Sequence, residues 1–340
     1  MIISRGRYAL ALALSLAAVI GLAAVSLAIG RFAVAPGDVL RALWSSWAGT
    51  ASGLAPNAQA VIVEVRAPRV AAALAVGAAL AAAGASYQAL FKNPLVSPDI
   101  LGVSSGCSLG AGLAILFSLP IGAIQALAFA GGLVAVGLVI LVGGLIRGRD
   151  PLLSLVLTGV VVGSLFAAGV ALVKYLADPY SQLPALTFWL LGSFASVMPR
   201  DLIAAVPAIV LGIVVLALLR WRLDVLSLSE DEATSLGVPV GPLRFAVVVA
   251  ATLVTAAAVA LAGTIGWVGL VVPHAARMLG GAAFVRVLPL SLVLGAGFLL
   301  VVDTICRVAF ATEVPPGVAT AFVGTPAFLL LLAATARKGR

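Results

Sequence analysis

The 340-residue chain holds few groups that could do covalent or redox chemistry: one histidine, two cysteines and twelve carboxylates. His274 follows Pro273 in a short apolar run, with no second histidine or cysteine at ligand spacing, so no metal site is expected. Cys107 and Cys306 lie inside apolar runs and form no CxxC pair, which argues against a disulfide framework. Ser104 and Ser105 could serve as nucleophiles with His274 as base, but nothing in the sequence brings them together. Small-residue packing in a membrane helix explains Ser-Ser-Gly better. None of Lys92, Lys174 and Lys338 stands in a G-x-x-x-x-G-K-[ST] phosphate loop, so any ATP that drives the protein is bound by another chain. An ion-coupled carrier needs acids or histidine at mid-membrane depth. Glu64, Asp99, Asp150 and Asp201 stand near the ends of apolar runs, and Asp303 precedes Arg307 by four residues, the spacing of a helical ion pair. The chain is expected to catalyse nothing and to bind no cofactor of its own.

These sparse groups are set in a chain that is 63% hydrophobic and 9% charged. No soluble core needs so much apolar surface, so the fold class is all-α and polytopic in a membrane. The runs are continuous rather than alternating, which excludes a transmembrane barrel. The net charge of +8 is spread singly and in pairs between the runs, as topology signals are, and forms no basic patch for nucleic acid. Ten runs have spanning length, at roughly 8–30, 69–91, 99–118, 123–146, 151–177, 202–221, 243–262, 264–280, 287–309 and 317–336. The first is longer than a signal-peptide core and reads as an uncleaved helix. Leu183 to Met198, bracketed by Pro184 and Pro199 and carrying Trp189, reads as a short helix at the membrane surface.

Ten spans put both termini on one side, which then carries thirteen of the twenty basic residues. The positive-inside rule makes that side cytoplasmic. Residues 1–340 form one transmembrane domain, with 31–65 as a periplasmic loop and 222–242 as a cytoplasmic loop. Arg66, Arg69 and Arg307 fall on the outer face.

Two stretches stand out. From Ala71 to Ala85 the second span is mostly Ala and Gly, and Gly77 and Gly84 share a face. Such a helix lets other backbones approach closely; it is either wrapped by its neighbours or lines a path, where Tyr87 and Gln88 would present polar groups. In the cytoplasmic loop, Ser229 and Glu232 have capping-box spacing, Glu230, Asp231 and Glu232 suit a first turn, and Gly237 then Pro239 end it. This predicts a short capped helix, either an ordinary structured loop or a docking element for a partner.

Several segments together resemble one family. They are Arg66-Ala-Pro-Arg69, Gln88…Asn93-Pro94-Leu95…Pro98…Leu101-Gly102, Trp189-Leu-Leu-Gly192-Ser193, Gly266-Trp-Val-Gly269-Leu-Val-Val-Pro273-His274-Ala-Ala-Arg277, Leu288-Pro289-Leu290-Ser291, Glu313-Val-Pro315-Pro-Gly317 and Gly324-Thr-Pro326-Ala-Phe328. In register from about residue 64 onward, they resemble the permease family of ABC importers for iron–siderophore, haem and vitamin B12. The resemblance implies a homodimer of ten-helix subunits, or a pair with a homologous permease, in the bacterial inner membrane. It further implies two cytoplasmic ATPase subunits that hold ATP-Mg and a periplasmic binding protein.

By the same resemblance Arg66, Arg69 and Arg307 dock the binding protein. Ser229, Glu230, Ala233, Leu236 and Gly237 couple to the ATPase. The translocation path runs along the second and fifth spans, with Gly84, Tyr87, Gln88, Asn93 and Pro94, and the inner gate lies in Arg147-Gly-Arg149-Asp150-Pro151-Leu152-Leu153. The departure of this last segment from the small hydroxyl residues of some members leaves the gate at Pro151, Leu152 and Leu153 less defined. The expected function is uptake of an iron(III) chelate by alternating access, with haem, cobalamin or an oxyanion as other cargoes. An ion-coupled secondary carrier and an intramembrane serine hydrolase are the rival classes.

Overall fold

A computed structural model describes residues 4–30, 32, 34–145 and 151–338, with side chains to residue 329. It contains helices and no strand among the described residues. In chain order the α-helices are α1 (Arg5–Ala28), α2 (Pro36–Ala48), α3 (Pro56–Ala60), α4 (Ala67–Leu90), α5 (Val103–Leu116), α6 (Ile121–Leu145) and α7 (Pro151–Leu176). They continue with α8 (Gln182–Leu190), α9 (Pro199–Val225), α10 (Glu230–Ser235), α11 (Val240–Ala262), α12 (Val268–Gly280), α13 (Phe284–Val308) and α14 (Pro316–Lys338). Proline opens α2, α3, α7, α9 and α14, where its missing amide costs no helical hydrogen bond.

Among the described residues seven helices are long and apolar enough to cross a bilayer, counting Pro56–Leu90 as one, and α5, α12 and the Pro316–Leu329 part of α14 are shorter apolar helices. Between α3 and α4, Val61–Arg66 winds as a π-helix, and the Ala67 amide reaches back five residues to the Ile62 carbonyl. Pro68 follows at once; it has no amide to donate, and the wider turns absorb the fault.

The small-residue helix α4 is the axle. Eighteen of its 24 residues are buried, whereas α1, of the same length, buries only Ser26. It packs against α13, α11, α12 and α9. Backbones meet where a Cβ would collide: Gly77 lies against Gly295 of α13, and Gly84 against Gly269 of α12. Of the two alternatives left by the composition, the structure takes wrapping. Away from this core, Leu141, Leu157, Val161, Leu165, Leu211 and Leu218 point outward from α6, α7 and α9, as lipid-facing side chains do.

Two expectations need adjustment. The surface helix expected over 183–198 is the nine-residue α8; it stops before Gly192, whose φ of 69° ends it. The loop 31–65, which showed no site in sequence, holds α2 and α3. There Val39, Ala42 and Ile62 form a small core of their own, and Gly49 closes α2 in the left-handed conformation.

Candidate functional site

The best-formed of the elements read from the sequence is α10. Ser229 Oγ accepts from the Glu232 amide at 3.3 Å, and Glu232 Oε2 accepts from the Ser229 amide at 2.9 Å. The capping box is present as read. The Ser229 amide first, and then the Ser229 hydroxyl, which also donates to Glu232 Oε2 at 2.9 Å, hold the Glu232 carboxyl below its ordinary range. At the other end the Gly237 amide donates to Thr234 and the Val238 amide to Ala233, a Schellman closure that needs the positive φ of Gly237, 77°. Glu230 pairs with Arg244 of α11. The short helix is thus rigid. It presents Ser229, Glu230, Leu236 and Gly237 outward, Leu236 being 61% exposed. Ala233 is a correction: it is 0% exposed and faces the bundle beside Val238, so it anchors α10 and cannot touch a partner.

At the opposite end of the bundle the three arginines cluster, but not as free fingers. The Arg66 guanidinium donates to the carbonyls of Leu27 (2.9 Å), Ala28 (3.0 Å) and Phe32, satisfying the end of α1. Arg69 donates through Nε and Nη2 to Asp303 at 2.7–3.0 Å and through Nη2 to Glu313 at 2.5 Å. Arg66 and Arg69 are 3% and 5% exposed. Their expected docking role is therefore corrected: Arg69 is neutralised by Asp303 and Glu313 and ties α4 to α13, while Arg66, with no carboxylate partner among the described residues, is held inside by the carbonyls at and just beyond the end of α1. Asp303 also differs from expectation, since its partner is Arg69 across the bundle and not Arg307 one turn on. Arg307 is half-buried, donates to the Ser26 carbonyl at 2.7 Å, and keeps an unpartnered Nε.

The expected path residues divide. Gly84, Tyr87 and Gln88 are enclosed within the subunit: the Tyr87 hydroxyl meets Thr252 Oγ1 at 3.0 Å, and Gln88 Nε2 donates to the Val96 carbonyl at 3.2 Å while its Oε1 accepts from Arg277. Gly84 and Tyr87 cannot line a path on the subunit surface, because four other helices cover α4 there, whereas Gln88 borders a cavity at the end of the bundle that carries α10. Asn93 and Pro94 are exposed beyond the end of α4. At the expected gate, Pro151 and Leu153 are exposed at the start of α7 and Leu152 packs partly on the core. Arg147, Arg149 and Asp150 lie outside the described residues.

A surface cavity of about 460 Å³ was not anticipated. It lies between the start of α5, the end of α8, the turn before α12 and the start of α14. Its frame is backbone against backbone: the Ser193 amide donates to Ala262 at 2.8 Å, the Gly317 amide to Gly192 at 3.5 Å, and Thr264 Oγ1 to Leu190. The lining is apolar apart from Asp99, the Ser104 hydroxyl that donates to it, and Thr264; it includes no cation. Trp267 lines it from a φ of 70°, a conformation that non-glycine residues rarely hold. In sequence, Asp99 resembled any span-end acid, and only folding brings Trp267 to it.

The arrangement is one of many apolar spans and a capped helix outside them. A molybdate import system permease protein of Haemophilus influenzae is 40% identical over 318 residues, 93% of each chain. A cobalamin import system permease protein of Halobacterium salinarum is 39% identical, covering 82% of this chain and 75% of that one. An Fe(3+) dicitrate transport system permease protein of Escherichia coli is 39% identical, covering 80% and 85%. The solved structure of a metal-chelate type ABC transporter, in an inward-facing conformation, superposes with a TM-score of 0.85 at 36% identity over 95% of this chain and 98% of that one. The family model for FecCD transport matches residues 17–334. The chain is thus a multi-pass permease subunit of an ABC importer and belongs to the FecCD transport family.

Proposed function

We propose that the chain carries an iron(III) chelate of the siderophore class across the bacterial inner membrane. It works as one of two permease copies, powered by two cytoplasmic ATPase subunits and loaded by a periplasmic binding protein. The cavity carrying Asp99 is taken as part of the cargo path. Its lining is the observation that carries the choice of cargo: one carboxylate, two hydroxyl groups and otherwise apolar surface. A dianionic oxyanion would meet repulsion and no donor cation there, whereas a bulky chelate is held weakly by apolar contact and can leave. The exposed faces of α7 and α14 that flank this region would meet the second copy. The pairing of Asp303 with Arg69 speaks against an ion-coupled carrier, because that acid is already neutralised.

Alternating access follows from rigid parts. The double-capped α10 passes ATPase closure into α11 through the Glu230–Arg244 pair, and α11 packs on α4 and α9. On the outside, Arg307 is the remaining candidate for binding-protein contact. Molybdate is the second reading, favoured by the 40% identity to the molybdate permease. Uptake into proteoliposomes containing the full transporter decides between them. Ferric hydroxamate or catecholate complexes should be transported and unlabelled molybdate should not compete. Saturable molybdate uptake with no chelate uptake would reverse the assignment.

A further inference from the structure

The end of the bundle that carries α10 holds a second cavity, of about 520 Å³, with a cationic wall that forms no ion pair among the described residues. Lys92, from the turn after α4, and Arg277, from the last turn of α12, both line it, with His274 one helical turn before Arg277. Arg277 makes one hydrogen bond, to Gln88 Oε1, of the five its guanidinium can donate. Among the described residues Lys92 donates only to the Leu228 carbonyl, at 2.5 Å. Neither has a carboxylate within ion-pair distance among the described residues. His274 Nε2 is enclosed and has no partner. One acid, Asp224, lines the cavity, but its two oxygens already accept from the amides of Phe284 (2.5 Å) and Val285 (3.1 Å) at the start of α13. Its charge answers that helix terminus.

A partly buried guanidinium without a counter-charge is costly, and its planar fork matches a tetrahedral oxyanion. We propose that this cavity binds a phosphate-type oxyanion between Arg277 and Lys92. Two sources share that chemistry: the phosphate of an anionic lipid headgroup at the membrane surface, and a free oxyanion from solution. A ligand here would bridge α12 to the turn after α4, which itself holds the Leu228 carbonyl just before α10. Occupancy would therefore stiffen the seat of the coupling helix, whatever the cargo.

The test uses the full-length permease in detergent. Native mass spectrometry measures retention of cardiolipin and phosphatidylglycerol against phosphatidylcholine, and thermal unfolding is followed with inorganic phosphate and with molybdate. The wild type should retain anionic lipid preferentially, or be stabilised by millimolar free oxyanion; the first result assigns the lipid source, the second the free one. Arg277→Gln should weaken that binding about tenfold. Arg277→Lys should weaken it less. Lys92→Gln, at an exposed position, keeps the test open if Arg277→Gln does not fold, and Arg200→Gln, also exposed, should change nothing. The proposal fails if the wild type prefers neither probe, if Lys92→Gln retains full binding, or if Arg200→Gln lowers binding as much as Lys92→Gln does.

Discussion

Replacing Asp303 by asparagine would remove the charge that Arg69 was buried to meet. Asp303 is 0% exposed and receives three N–H···O contacts of 2.7–3.0 Å from one guanidinium. Breaking a buried ion pair by neutralising one partner costs about 3–5 kcal/mol. Glu313, 31% exposed at its side chain, remains within 2.5 Å of Arg69, so the lower end applies, about 3 kcal/mol. That is roughly a hundredfold in the folding equilibrium. Glu313→Gln, at the wetter partner, should cost only about 1 kcal/mol. The pair Arg69→Met with Asp303→Leu should be closer to wild type than either single change, because it leaves no orphan charge. Reversible denaturation of the purified permease in mixed micelles measures all five variants. An Asp303→Asn cost under about 0.5 kcal/mol, or a double mutant whose cost equals the sum of the singles, would refute the view that Arg69 is an internal tie.

Other consequences follow from the same contacts. Gly84→Val places side-chain atoms in the Gly269 backbone, with α4 unable to retreat; the cost should exceed about 3 kcal/mol and show as loss of folded protein in size-exclusion chromatography. Leu236→Glu should leave the permease folded but abolish co-purification of the ATPase, whereas Ala233→Leu should act through stability because its site is closed. Ser229→Ala should loosen α10 by about 1 kcal/mol, read from amide exchange of Glu232. Because the Glu232 carboxyl is held below its ordinary range, the cap's contribution is complete above about pH 4.3 and is lost as pH falls through the lower folded value. Exchange corrected for its intrinsic pH dependence should show that order.

Much of this molecule was legible in the chain. Uncharged runs of spanning length marked most of the long helices, and Ser229, Glu232 and Gly237 marked α10 to the residue, because local hydrogen bonds alone decide such caps. Ala and Gly in α4 announced close backbone approach, though not the choice between a wrapped axle and a path wall; that depended on which helices surround it. The arginines misled for a related reason. Arg69 and Asp303 are 234 residues apart, and only the meeting of α4 with α13 shows that one consumes the other. Asp303 and Arg307 had the better local spacing and lost to a partner in better geometry. The Asp99 cavity depends on four separate segments converging, through Gly192, Gly263 and Gly317, and no local pattern carries that information.

On the proposed function, this chain moves cargo only as part of an ATP-driven assembly. Purified permease should be reconstituted in liposomes alone, with the ATPase chain, and with both ATPase and binding protein, and loaded with a ferric siderophore complex. The account predicts ATP-dependent accumulation in the complete system and none in the first. Accumulation by the permease alone, driven by an ion gradient and abolished by Asp303→Asn in protein that remains folded, would contradict it.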